Sequence, residues 1–383
     1  MLHTYQKPLS GSKIGVVFGS FAPLHQGHLD LIMRAKKEND GGCIVIVCGF
    51  DGDKGEPLMP HKKRYRYVRE FFADDDLVAV YSINDTEIGA NKCPDGWNEW
   101  IAEFRKIWSK AVIEGIYEEG EFWPERTWYV GDEAYHKDLT ERFGQKAILV
   151  DRKADNPISA TMIRQNPIKH WDKIAFPFRR LFSHNILICG TASEGKTTLC
   201  EDLGKYFNAP YGREYARDYM KESGVSEWEL DAADYLAFLE GQYSLNRKLI
   251  NSGANHGVFF ADTDSMVTRM YAEAYADDKD LALSDEDFKK VAMVADEFTS
   301  KCRWDKIFLL APKGNFVDDN VRYMGHSDIE QRRKMYNILC SNIKASGNWD
   351  KVVELEGGDY YNNFITIVKY VRDIMEKGIE ANG

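Results

Sequence analysis

Short runs of apolar residues recur along the chain, and polar segments of helical length separate most of them. Apolar runs of this length, bounded by glycines and polar residues, predict buried strands. The runs in the first half lie at 14–18, 43–49, 77–81, 127–132 and 147–151, and those in the second half lie at 185–189, 257–264, 306–310 and 352–358. Because strands alternate with helices, the pattern favours an α/β fold of two doubly wound parallel-sheet domains.

The same pattern predicts the domain boundaries. Residues 1–12 precede the first strand and are interpreted as a leader, and the first domain takes residues 13–167. A connector that contains Pro177 follows at 168–182, and the second domain takes residues 183–383.

The first strand runs into Gly19-Ser20-Phe21-Ala22-Pro23-Leu24-His25-Gln26-Gly27-His28, and a helix is predicted from there to about Lys37, with Pro23 in its first turn. His25 and His28 are three residues apart, so they share one face of that helix. A helix N-terminus attracts anions, and glycines at positions 19 and 27 let a phosphate approach the backbone. We therefore predict a phosphate site formed by Gly19, Ser20, Phe21, His25, Gly27 and His28. The alternatives are a structural histidine pair or half of a metal site, although no further zinc ligands stand at the required spacing.

This decapeptide resembles the phosphate-binding signature of the nucleotidylyltransferase superfamily. The resemblance implies a Rossmann-like domain that transfers a nucleotidyl group to a phosphate and releases pyrophosphate. Residues Ile158 to Arg164 read Ile-Ser-Ala-Thr-Met-Ile-Arg and are similar to the second signature of that superfamily. Ser159 is predicted to cap a helix, with Thr161 and Arg164 beside the same phosphates.

Two further features of the first domain leave alternatives open. Trp97 follows a Pro-Asp-Gly turn, where an indole either fills the core or stacks on a flat or cationic ring. Asp132 comes at the end of a predicted strand, where ligands of parallel sheets bind. Basic residues of one predicted helix either form a solvated face or reach a triphosphate; they are Lys62, Lys63, Arg64, Arg66 and Arg69.

The second domain opens with a complete P-loop, Gly190-Thr191-Ala192-Ser193-Glu194-Gly195-Lys196-Thr197, followed by Thr198. Such a loop cradles phosphates with backbone N–H groups. Lys196 is predicted to contact the outer phosphates, and Thr197 is predicted to bind Mg²⁺ together with Asp262. The residues expected to bind the nucleotide are Gly190, Glu194, Gly195, Lys196, Thr197 and Thr198.

Other charged residues of the second domain are candidates for substrate and lid contacts. Glu214 is either a base that accepts the proton of a substrate hydroxyl or part of a surface salt bridge, and Asp264 is assigned to the substrate site. Arg322 is assigned to the nucleotide, with Arg332 and Arg333 as alternatives in the same lid. The competing interpretation of that segment is an exposed charged helix.

Composition limits the classes of partner. The chain has 383 residues and a net charge of −11, which argues against nucleic acid as the main partner. No apolar segment is long enough for a membrane helix. The seven cysteines are odd in number and scattered, which favours a reduced, cytoplasmic protein.

From about Lys13 onward the chain resembles the NadR-type family, which joins a nicotinamide mononucleotide adenylyltransferase to a ribosylnicotinamide kinase. The segments that carry the resemblance are both signatures, Pro94–Trp97, the P-loop, 212–217 and 261–264. The resemblance implies an enzyme that phosphorylates nicotinamide riboside with MgATP and then adenylylates the mononucleotide with a second ATP to give NAD. It also implies that Trp97 stacks on the nicotinamide ring.

Two other functions fit the same folds. One is an adenylyltransferase and kinase pair of the coenzyme A branch, and the other is a nucleotide-sensing regulatory protein. Some family members carry an N-terminal helix-turn-helix that represses transcription, and we expect none here because the leader is short. The resemblance further suggests a functional link to a riboside transporter, and a homo-oligomer is compatible with the sequence.

Overall fold

The structure, a computed structural model, describes residues 8–112, 115–117, 120–122, 124–150, 157–276, 281–313 and 328–377. The chain divides into two compact units, of which unit 1 ends at Leu181 and unit 2 spans Phe182–Lys377. No helix of the described ranges is long and apolar enough to cross a bilayer.

Unit 1 is a five-stranded parallel sheet with helices between its strands. Its strands are β1 (Lys13–Gly19), β2 (Cys43–Gly49), β3 (Val78–Asn84), β6 (Glu125–Val130) and β7 (Ala147–Leu149), with a small antiparallel pair β4 (Gly115–Tyr117) and β5 (Gly120–Phe122). Its helices are α1 (Gln26–Lys37), α2 (His61–Phe71), α3 (Trp97–Ala111), α4 (Glu133–Lys137), α5 (Ala160–Gln165) and α6 (Phe176–Arg179), with a π-helical turn at Asp138–Arg142 and a 3₁₀ turn at Trp171–Lys173. The strand order β3-β2-β1-β6-β7 places β1 in the centre.

Unit 2 repeats this plan. Its sheet contains β8 (His184–Gly190), β9 (Tyr211–Gly212), β10 (Val258–Ala261), β11 (Lys306–Ala311) and β12 (Val352–Glu356). Its helices are α7 (Lys196–Phe207), α8 (Tyr215–Ser223), α9 (Ala232–Ile250), α10 (Ser265–Ala274), α11 (Asp285–Lys301), α12 (Ile329–Ala345) and α13 (Tyr360–Lys377), with 3₁₀ turns at Glu227–Glu229 and Trp349–Lys351. The order β12-β11-β8-β10-β9 again puts the first strand in the centre.

The predicted fold class is confirmed, since the described strands of both five-stranded sheets pair in parallel. Each predicted strand is present, with ends that differ by up to three residues. The largest differences are at β3, which continues to Asn84, and at β10, which ends at Ala261.

Alternating apolar residues cover both faces of the unit 2 sheet. Ile186 and Ile188 pack with α7 and α13, whereas Leu187 and Cys189 pack with α10 and α12. Burial of one such branched side chain contributes about 1.5–3 kcal/mol. A central strand buried on both faces is a rigid base for the loop that follows it.

Candidate functional site

The loop between β1 and α1 holds the two histidines of the first signature. His25 is the N-cap of α1, and its ring stacks on that of His28 with ring centroids 3.8 Å apart. A Cβ at Gly27 would lie 3.3 Å from His25 Cε1, so glycine lets this ring pack on the backbone. The prediction that Pro23 lies in the first turn is wrong, because residues 24 and 25 are held by backbone bridges to 174 and 175 and the helix begins at Gln26.

Phe21 has a left-handed backbone conformation with φ 46°. A non-glycine residue adopts this conformation at an energetic cost. Residues with such strained backbones cluster at functional sites. Its ring is fully buried and meets His28 edge to face, with centroids 5.0 Å apart. The Phe21 ring therefore packs against His28 inside the fold. If Phe21 contacts a ligand, it does so through its backbone.

Arg64 holds the same loop from the side of β2. Its guanidinium is buried and donates to the backbone carbonyls of Ser20, Cys48 and Met59. Burial lowers the pKa of this guanidinium. Arg64 therefore belongs neither to a solvated face nor to a triphosphate contact, because its donors are directed at backbone carbonyls within the fold.

The second signature meets the first in one cavity of about 1260 Å³. Ser159 caps α5 as predicted, accepting a hydrogen bond from the Met162 amide at 3.2 Å. Arg164 donates to the Ala22 carbonyl at 2.5 Å and to Thr161 Oγ1 at 3.1 Å. Of the predicted residues, those that line this cavity are Gly19, Ser20, His25, His28, Trp97, Asp132, Ser159, Thr161 and Arg164.

The two predicted substrate residues of this cavity are also bound within the fold. Trp97 is only 1% exposed, and its Nε1 donates to Asp138 Oδ2 at 2.8 Å. Its indole packs edge to face against the rings of Phe18, Trp100, Tyr135 and Phe143. Asp132 is the N-cap of α4 and accepts from the Ala134 amide at 2.9 Å.

Asp85 also lines this cavity, and sequence reasoning missed it. It directly follows β3, and burial raises the pKa of its carboxyl to about 6. The signal was available, because an acidic residue after a parallel strand lies at the ligand-binding edge. It was overlooked because β3 was predicted to end three residues early.

The P-loop begins at Gly190, the last residue of β8, whose backbone conformation favours glycine. Gly190 has φ +147°, and a Cβ there would lie 2.7 Å from the Leu310 carbonyl oxygen, so only glycine fits. Lys196 begins α7, and its Nζ donates to the Thr191 carbonyl at 2.7 Å. Thr198 lies in the first turn and is exposed. Helix α7 thus begins directly after the loop, and in a P-loop the backbone N–H groups at such a helix start bind phosphate.

The donors present fit a magnesium ion. Asp262 follows β10 and accepts from Thr197 Oγ1 at 2.5 Å through Oδ2. Its other oxygen, Oδ1, is buried without a hydrogen-bond partner among the described atoms. Burial raises the pKa of this carboxyl, and the charge of Lys196 opposes the shift. Carboxylate and hydroxyl oxygens are ligands that Mg²⁺ prefers, so a buried carboxylate oxygen of this kind suits the ion.

Glu194 and Arg332 form a buried ion pair. Arg332 Nη1 donates to Glu194 Oε1 at 2.7 Å, and the two side chains are 3% and 0% exposed. The carboxylate predicted to bind nucleotide therefore joins the P-loop to α12. Arg333 pairs with Glu330 on the exposed side of the same helix. Arg322 lies outside the described residues.

Glu214 and Asp264 are placed differently. Glu214 is the N-cap residue of α8, accepts from Arg217 Nε at 2.7 Å, and lines a small cavity together with Arg217, Thr263 and Tyr271. Asp264 is buried, caps α10 through the Met266 amide and accepts from Trp304 Nε1 at 2.9 Å. Burial raises the pKa of Asp264 to about 6. The structure thus brings Glu214 to the cavity, whereas both Asp264 oxygens are engaged inside the fold.

Each unit matches a known protein family model. Residues 16–166 match the cytidylyltransferase-like family, and residues 185–362 match the AAA domain family. The two matches fall on the two units described above.

Proteins similar over nearly the whole chain are also known. The trifunctional NAD biosynthesis/regulator protein NadR of Escherichia coli K12 is 29% identical over 96% of this chain and 85% of its own length. A crystal structure of NadR protein in complex with NR is 33% identical, with a TM-score of 0.80 over 96% of this chain and 97% of that one. A NadR structure with NAD and AMP-PNP is 34% identical, with a TM-score of 0.77 over 96% of this chain and 98% of that one.

Proposed function

The chain belongs to the NadR family, and on that premise we propose that it makes NAD from nicotinamide riboside in two ATP-dependent steps. Unit 2 phosphorylates the riboside to nicotinamide mononucleotide. Unit 1 adenylylates the mononucleotide to NAD and releases pyrophosphate. One observation carries the proposal: in each unit, the segment that matches a phosphate-binding signature follows the carboxyl end of the central strand. Membership of this family favours the nicotinamide pair of reactions over the coenzyme A pair.

In unit 2, the 5′-hydroxyl of the riboside attacks the γ-phosphorus of ATP. The new bond joins O5′ to the γ-phosphorus, the bond to the β-phosphate oxygen breaks, and ADP leaves. Lys196 and the N–H groups at the start of α7 stabilise charge on the transferred group. Glu214 lies on the cavity wall and receives the hydroxyl proton.

The proposed magnesium ligands of unit 2 are Thr197 Oγ1 and the Asp262 carboxylate. Mg²⁺ held there would supply positive charge that offsets the charge of the nucleotide phosphates.

In unit 1, a phosphate oxygen of the mononucleotide attacks the α-phosphorus of ATP, and pyrophosphate leaves. The attacking phosphate is already an anion, so no side chain has to remove a proton. His25, His28 and Arg164 converge on one cavity and donate to the phosphates as negative charge develops. Trp97 and Asp132 are proposed to contact the nicotinamide riboside half of the substrate from the wall of the same cavity.

We place both reactions in the cytoplasm. The seven cysteines are free thiols, as expected in a reducing compartment, and several are deeply buried.

The test is a product assay with purified protein, MgATP and nicotinamide riboside, resolved by chromatography over time. We expect mononucleotide to appear first and NAD to follow. Mononucleotide without NAD would remove the assignment of unit 1, and NAD formed only from added mononucleotide would remove that of unit 2. Turnover of phosphopantetheine or dephospho-coenzyme A in place of the riboside would instead support an adenylyltransferase and kinase pair of the coenzyme A branch.

A further inference from the structure

The small cavity of unit 2 has aromatic walls and an excess of negative charge. We name it the tyrosine cavity and define it by residues of α8, α9, α10 and the turn before α9: Glu214, Arg217, Glu227, Tyr235, Phe238 and Tyr271. Its charged lining residues are two carboxylates and one guanidinium, so the formal charge of the lining is −1. Three aromatic rings complete the wall, and the π-faces of such rings attract cations.

Glu227 occupies a fixed position in this cavity. It begins the 3₁₀ turn Glu227–Glu229, which a capping box between Ser226 and Glu229 closes. Its side chain is largely buried, and its Oε1 accepts from the Tyr275 hydroxyl at 2.5 Å. A carboxylate held in this way cannot swing out to water, so its charge acts inside the cavity.

The charge of Glu227 acts on two tyrosines of the wall, Tyr235 and Tyr271, and on its hydrogen-bond partner Tyr275. Burial raises the pKa of Tyr275, Tyr235 and Tyr271, and the negative charge of Glu227 raises each of them further. Screening by water is weak at such a site, so the negative potential that disfavours a tyrosinate there would stabilise a cation in the cavity.

The two carboxylates of the cavity have different neighbours. Glu214 acts on Asp262, the residue paired with Thr197 at the P-loop. Glu227 acts on Tyr235 and Tyr275, and Tyr271 feels both carboxylates. Because both carboxylates line the same cavity, a riboside whose 5′-hydroxyl meets Glu214 has its ring in the cavity that Glu227 also lines.

We propose that Glu227 makes the kinase selective for ribosides whose ring carries a positive charge, against neutral ribosides of the same size and shape. The inference rests on the proposed function of unit 2. Glu227 is a specificity residue here, because it attracts the ring and takes no part in the transfer of the phosphoryl group. A cation beside a buried carboxylate and tyrosine faces gains binding energy that a neutral ring does not.

The test compares nicotinamide riboside with the C-riboside of benzamide, in which carbon replaces the charged ring nitrogen. Initial rates of phosphorylation give kcat/KM for each compound with the wild type and with Glu227→Gln, which keeps an oxygen for the Tyr275 hydroxyl. We expect the wild type to prefer nicotinamide riboside by at least tenfold. In Glu227→Gln that preference falls about tenfold, while kcat/KM for the neutral riboside changes by less than about threefold. The control is Glu222→Gln on the exposed side of α8, which should leave both values unchanged.

The outcomes separate the inference from the function on which it rests. A wild type that phosphorylates neither riboside overturns the proposed function. A wild type that phosphorylates both equally overturns the role of Glu227 without any variant, so the test does not depend on the folding of Glu227→Gln. Equal loss of both activities in a folded Glu227→Gln also overturns it, because a structural role would not depend on ring charge.

Discussion

The two phosphate loops follow the same chain path, yet their units hold them with different partners. In unit 1, Arg64 and Arg164 hold the loop by donating to backbone carbonyls, those of Ser20 and Ala22 among them. A carbonyl is neutral, so each guanidinium keeps its net charge beside the loop.

In unit 2, the corresponding contacts are made to carboxylates, and one of them is an ion pair. Arg332 donates to the carboxylate of Glu194, and the hydroxyl of Thr197 donates to the carboxylate of Asp262. Removal of a cation from such a pair leaves a buried anion, which costs more than an unpaired carbonyl. The comparison teaches that the stability of unit 2 depends on its buried ion pair, whereas in unit 1 Arg164 lines the cavity with an unneutralised charge and Arg64 supports the loop from within the fold.

The largest expected effect separates catalysis in the two units. Lys196→Ala should lower riboside phosphorylation by about 10³-fold or more, because it removes the cation that meets the transferred phosphate. NAD formation from added mononucleotide should stay within about twofold. The product assay with each substrate measures both rates, and Lys205→Ala in the same helix is the matched control. Parallel loss of both activities in a folded variant would show that the two sites are not independent.

The next effect tests the buried pair. Arg332→Ala should lower the unfolding free energy of unit 2 by about 3–5 kcal/mol, because the fully buried Glu194 loses its guanidinium. Urea unfolding followed by hydrogen exchange in β8 peptides measures this in unit 2 alone. Arg333→Ala, one residue on and exposed, should change it by about 0.5 kcal/mol or less. A double variant, Glu194→Leu with Arg332→Met, should recover most of the loss, and its failure to do so would count against an electrostatic cause.

A smaller effect is expected at the histidines. His28→Ala should lower kcat/KM for adenylylation by about 10²-fold, because one donor to the developing charge is lost. Riboside phosphorylation and the unfolding of unit 1 should change little. Asp30→Ala on the exposed side of α1 is the control. Retention of full adenylylation would remove His28 from the proposed site.

The smallest effect concerns Asp85, whose carboxyl group lines the cavity of unit 1. Its folded pKa of about 6 lies above the ordinary value, so its contribution to stability is present below about pH 4 and is lost as pH rises through 6. Asp85→Asn should therefore be more stable than the wild type above pH 6, by about 1 kcal/mol after allowance for solvent screening, and equal to it near pH 4. Urea unfolding read from β2 and β3 peptides tests this. A difference that does not vary with pH would contradict it.

Local patterns accounted for the sheets and for both loops, because apolar runs and glycine turns act over a few residues. The sequence gives no comparable signal for the Glu194–Arg332 pair, whose members are 138 positions apart. Arg64 was grouped with four other basic residues, since nothing local marks the carbonyls that it would meet. The tyrosine cavity was missed for the same reason, because Glu227 and Tyr275 are 48 positions apart.

The central position of β1 and β8 has a consequence for the order in which the protein forms on the ribosome. Each of these strands is synthesised first in its unit, and each pairs with one strand that is made much later, β6 in unit 1 and β11 in unit 2. In unit 1, β1 therefore keeps one edge unpaired until β6 has been made. In unit 2, β8 keeps both edges unpaired until β10 has been made and one edge until β11 has been made. Long-range parallel pairing of this kind is slow and prone to aggregation. We infer that each nucleotide site becomes competent only near the end of synthesis of its unit.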